Sequence, residues 1–160
     1  LAALMEGNPF ATCAGMMRAA CVRDVPEWYA DFFPITDWPL YALCALRGEL
    51  AFVDEVVGIY RLHDGGAFSS RPAAAKLDAV EEFYHRLANC AQPPLSVAAR
   101  GGCSAYFFGW AKTYVQQDEM ALARTCFRRS IFGGGIGATV PRRSALRLGA
   151  KILKRSMTRR

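Results

Sequence analysis

The chain has 160 residues, a hydrophobic fraction of 52%, a charged fraction of 21% and a formal net charge of +6. That balance suits one folded domain and excludes a low-complexity or highly charged disordered chain. No run approaches the ~18 apolar residues that a membrane-spanning helix needs. The opening LAALMEGNPF has neither an initiator Met nor the basic-then-apolar order of a secretion signal, so the chain reads as part of a longer protein.

The charge is unevenly placed. Pro141 to Arg160 holds eight Lys and Arg residues and no acid, which leaves 12 basic against 14 acidic side chains before it. The basicity belongs to a tail, and nucleic acid is not expected as a partner. Six cysteines stand singly, mostly among apolar neighbours, with no CxxC and no Cys/His zinc spacing. Reduced, buried thiols in a cytoplasmic protein are the plain expectation.

Residues 8–18 are rich in Thr, Cys, Gly and Met and predict an irregular segment. A short helical turn over 19–22 is stopped before Pro26, and an aromatic-rich piece over 27–33 ends at Pro34. A helix follows with clear punctuation: Thr36 or Asp37 as cap, Pro39 in the first turn, Gly48 at the end. Leu40, Leu43, Cys44 and Leu46 form its expected buried stripe. Residues 50–53 and 56–62 are β-branched and aromatic and predict two short strands joined through Asp54-Glu55. Gly65-Gly66 breaks the pattern, and Ser69-Ser70-Arg71-Pro72 predicts a linker.

Beyond Pro72 the pattern is helical. Residues 73–90 place Leu77, Val80, Phe83, Tyr84 and Leu87 at helical spacing. Two more helices are expected over 96–116 and from Asp118 or Glu119 to about 132. Phe107, Trp110, Ala111, Tyr114, Ala123, Phe127 and Ser130 resemble the spacing of a single tetratricopeptide unit, and a plain helix hairpin packed on the body is the favoured reading over a protein-docking module. After the Gly133-Gly134-Gly135 break, Pro141 opens a basic amphipathic helix. It sets Leu146, Ala150, Leu153 and Met157 on one face and Arg143, Arg147, Lys151 and Arg155 on another. Such a helix suits an anionic membrane surface; a solvated C-terminus is the simpler alternative.

Taken singly, Asp37 is a common acidic N-cap and His63 a common surface histidine. Their setting is more specific. Asn8-Pro9-Phe10-x-Thr12-Cys13, Pro26-x-Trp28, Asp37-Trp38-x-Leu40, Gly48-Glu49-Leu50-x-Phe52-Val53 and Tyr60-Arg61-x-His63-x-Gly65-Gly66 occur in this order. Over residues 4–70 this succession resembles the acceptor-side half of bacterial family 2 glycosyltransferases, inverting enzymes of the nucleotide-diphospho-sugar transferase fold.

The resemblance implies an α/β fold: a half-domain over 1–70, a helical, weakly tetratricopeptide-like module over 73–132 and a tail helix over 141–160. It implies that Asp37 is the catalytic base and that Trp38 and Arg61 contact substrate. His63 would help to hold a divalent metal, Mg or Mn. The partners implied are a nucleotide-diphospho-sugar donor and a glycan or lipid-linked acceptor. The setting would be cell-envelope polysaccharide biosynthesis on the cytoplasmic side, peripheral to the plasma membrane if the tail binds it. Two departures stand out. Thr36 replaces the Glu that many relatives carry before the Asp, and no Asp-x-Asp metal motif occurs. With no Gln-x-x-Arg-Trp element either, a non-processive transferase is expected, inactive without its donor-binding half. A helical protein-interaction module carrying a degenerate transferase remnant is the alternative.

Overall fold

The computed structural model describes residues 1–61, 63–133 and 139–157. Its helices are α1 (Ala2–Glu6), α2 (Ala19–Val22), α3 (Asp37–Arg47), α4 (Ala73–Cys90), α5 (Leu95–Gln116), α6 (Met120–Phe132) and α7 (Arg142–Met157), with 3-10 turns at Thr12–Ala14 and Glu27–Phe32.

Helix α5 is the hub, packed by α1, α4, α6 and α7. Its apolar and small residues spread around most of its circumference, so that several neighbours can pack on it, while Arg100 and Lys112 stay exposed. Phe107 and Ala111 on α5 and Ala123 and Cys126 on α6 are fully buried in the α5–α6 hairpin. Asp118 adopts φ 65 in the connecting turn, a left-handed conformation that Asp tolerates better than most residues. Ser104 Oγ donates to Ser130 O at 2.7 Å across the hairpin, satisfying a hydroxyl that is buried on α5. Burial pushes the Cys103 thiol up to about 12 and the Cys126 thiol up to about 11, so neither is a reactive thiolate at neutral pH. Cys44 is also buried, Cys21 and Cys90 are half-buried, and Cys13 is exposed; all six are unpaired.

Sequence periodicity does not predict α1, which is only five residues long. It is held by its neighbours. Trp38 Nε1–H donates to Leu4 O at 2.8 Å, and the Tyr84 hydroxyl donates to Met5 O at 2.5 Å. These two bonds satisfy carbonyls that a helix C-terminus otherwise leaves unpaired. Gly102 makes the close approach feasible, because a Cβ there would collide with the Met5 backbone. Trp38 stacks on Phe83 at 4.6 Å, and Tyr84 and Tyr106 pack around it. One continuous core therefore includes Leu4, Met5, Phe32, Trp38 and Tyr41 together with side chains of α4 to α7.

On α6, Arg129 reaches α4. Its guanidinium pairs with Asp78 and, at 2.9 Å, with Glu81, and it lies over the Phe107 ring. Arg129→Ala should cost about 1–3 kcal/mol, kept modest because Asp78 is largely exposed and its share is screened. Urea unfolding checks this, and 1 M salt should shrink the difference only in part.

The α/β fold expected for residues 1–70 is corrected here: the described residues contain helices and turns but no strand. Residues 50–53 and 56–61 do not pair with each other or with any other segment, and Leu62 lies outside the described residues. Phe52, Val56 and Ile59 are each more than 80% exposed. The physical reason is that β-branched composition favours strand only where a partner completes the ladder and covers one face. Helices already occupy the core, and among the described residues no segment forms a ladder with this one. The expected stripe of α3 also shifts. Leu43 and Cys44 are buried, but Leu46 is 41% exposed, and Trp38, Tyr41 and Ala42 carry the inward face. Among the described residues, no helix is long and apolar enough to cross a membrane.

Candidate functional site

A cleft of about 810 Å³ opens where the N-terminus of α3 meets the side of α5. One wall comes from Asn8, Thr12, Ile35 and Asp37, the facing wall from Tyr106, Gly109, Trp110 and Thr113, and Tyr60 and Phe68 also line it.

Asp37 stands in the first turn of α3. One carboxylate oxygen accepts from Thr12 Oγ at 2.7 Å and from Asn8 Nδ2 at 3.3 Å; the other accepts from the Trp38 backbone N–H at 2.9 Å. These bonds tie the irregular 8–12 segment to the helix. They also fix the carboxylate at the cleft rim while leaving it half-buried. Its charge is felt nearby. Burial first, then Asp37, raises the pKa of both the Tyr29 and Tyr41 hydroxyls.

The facing wall is largely aromatic, with the Lys112 cation also in its lining. Burial pushes the Tyr106 hydroxyl up to about 12, against the opposing effect of a hydrogen bond with the Trp110 side chain. Tyr106 is therefore a protonated phenol at neutral pH. Trp110 is 37% exposed and packs on Tyr106 at 6.3 Å and Tyr114 at 5.4 Å. A carboxylate opposite an amphipathic aromatic wall can bind a polyhydroxylated ligand, its apolar ring face on the rings and a hydroxyl on the acid.

The other sequence candidates fall differently. Trp38 is not an open acceptor wall. It is among the residues lining the cleft but only 3% exposed, and its indole N–H is committed to Leu4 O. Arg61 is exposed and makes no ion pair among the described residues. His63 is exposed as well and is not among the described residues lining the cleft. From the Tyr60-Arg61-x-His63 element, it is Tyr60 that joins Asp37 there. Nor do the described residues gather three or more His, Cys, Asp or Glu side chains that could hold a metal. Among the described residues, His63 therefore has no set of ligands beside it with which to hold a metal.

Sequence reasoning assigned the aromatic wall to a separate helical hairpin. The signal was present: Tyr106, Trp110 and Thr113 recur at i, i+4, i+7, a face distinct from the hairpin's Phe107, Ala111 and Tyr114. Periodicity could not say what that face turns toward. Comparison of the chain with protein-family models, with curated proteins and with solved structures returned no match.

Proposed function

We propose that this chain is the acceptor-side portion of an inverting, non-processive glycosyltransferase, and that Asp37 is its general base. The observation that carries this reading is the position of Asp37. An oriented carboxylate borders a cleft with an aromatic far wall, and Tyr60, from the last of the resembling elements, lines the same cleft. In the reaction, the acceptor hydroxyl hydrogen-bonds to Asp37, which takes its proton as the oxygen attacks the anomeric carbon of the nucleotide-diphospho-sugar. The Thr12 and Asn8 contacts orient the base, and Tyr106, Trp110 and Tyr60 pack on the acceptor. The proposal concerns the site rather than the fold. Transfer also needs a donor-binding portion, which the 160 residues do not supply, so nucleoside diphosphate release from a panel of nucleotide-diphospho-sugars should be measured on the full-length enzyme.

Gly109 gives a direct test of the cleft. It lies mid-helix on the cleft wall, and a Cβ there would meet nothing within 4 Å. Gly109→Ala should therefore stabilise the fold by about 0.5–1 kcal/mol. Gly109→Leu should fold equally well but intrude on the acceptor, raising its KM. Thermal melts and acceptor titrations separate the two effects.

The all-helical architecture favours a second reading, a protein-interaction module in which the Asp37 region is a catalytically inert remnant. In that case the full-length protein would turn over no nucleotide-sugar, and Gly109→Leu would weaken capture of a protein partner instead.

A further inference from the structure

Helix α7 presents more apolar surface than the body of the protein covers. Ala145, Leu148 and Ile152 are its buried row, Gly149 lies against the Phe127 ring, and Arg155 Nη1 donates to Val115 O at 2.7 Å. A second apolar row of Leu146, Ala150, Leu153 and Met157, at i, i+4, i+7 and i+11, faces water. Leu146 is 75% exposed, Leu153 66% and Met157 77%. About a quarter-turn around the helix from it runs a row of exposed cations, Arg143, Arg147 and Lys151. Both rows lie on the half of the helix turned away from the protein. A merely solvated face has no use for two leucines and a methionine in register over three turns.

We propose that this outward half of α7 binds the surface of an anionic lipid bilayer, with the helix lying in the plane of the interface. The apolar row enters the boundary between headgroups and acyl chains, and the cations meet lipid phosphates and carboxylates. Charge complementarity selects this occupant, since residues 141–160 contain no acid. The apolar row selects it over nucleic acid, which would engage the cations and leave Leu146 and Leu153 in water; nor does an aromatic platform interleave the charges. The proposal stands apart from the transferase reading and needs no activity measurement.

Vesicle flotation of the full chain tests it, with phosphatidylcholine alone against phosphatidylcholine containing phosphatidylglycerol. Binding is expected only to the anionic vesicles. The double variant Leu146→Gln/Leu153→Gln should lower partitioning about tenfold or more. The triple variant Arg143→Glu/Arg147→Glu/Lys151→Glu should abolish it. All five residues are exposed, so circular dichroism and Tm should be unchanged. Absence of binding to anionic vesicles, or binding indifferent to the leucine pair, overturns the proposal. So does equally tight capture of duplex DNA that ignores the leucine pair, which would assign the cations to nucleic acid.

Discussion

Asp37→Asn should reduce sugar transfer by the full-length enzyme about 10²–10⁴-fold, the usual contribution of a positioned general base. The amide keeps an acceptor oxygen for Thr12 Oγ, so the 8–12 segment stays anchored and acceptor KM should change little. The loss should appear in kcat, because the proton is moved only in the transition state. A parallel measurement on Thr12→Val, which removes the hydroxyl at 2.7 Å but leaves the carboxylate, should show a smaller fall in kcat. Turnover by Asp37→Asn equal to that of the parent would falsify the assignment of the base. A variant that had merely unfolded would be recognised by its circular dichroism.

Trp38→Ala should be the most destabilising of the substitutions considered, by about 3–5 kcal/mol. It removes a 3%-exposed indole that stacks on Phe83 at 4.6 Å, and it leaves Leu4 O without its donor. Trp38→Phe should cost less, about 1–2 kcal/mol, because the ring contacts largely survive and one hydrogen bond is lost. Denaturant titration gives both values. The comparison also separates two roles for this residue. If Trp38 served mainly as an acceptor wall, Trp38→Ala would weaken acceptor binding while leaving the midpoint of unfolding close to the parent's.

Both predictions turn on α3, whose boundaries were readable in advance. Thr36, Asp37, Pro39 and Gly48 act within a turn of themselves, and the helix runs over Asp37–Arg47 as they imply. The same holds for α4, α5 and α6, each within two residues of its expected ends, and for the start of α7. Residues 50–61 show the opposite case. Val53, Val56, Val57 and Ile59 have the composition of strands, yet a strand exists only through hydrogen bonds to another segment, and the described residues provide none. Asp37 was recognisable as a candidate because its neighbours form a motif. Tyr106, Trp110 and Gly109 were not, because nothing within α5 records which of its faces meets α3.

Local chemistry thus established where α3, α4, α5 and α6 start and stop, which residue carries the candidate carboxylate, and that the basic charge gathers in the last helix. These follow from backbone conformation, capping and side-chain identity over a few residues. Packing decided the rest: that residues 50–61 remain unpaired, that Trp38 faces inward to hold α1, that α5 supplies the far wall of the cleft, and that α7 docks through Ala145, Leu148 and Ile152 while Leu146 and Leu153 face water. Each of these depends on contacts between residues distant in the chain, where several faces of comparable apolarity compete and only the assembled core selects among them.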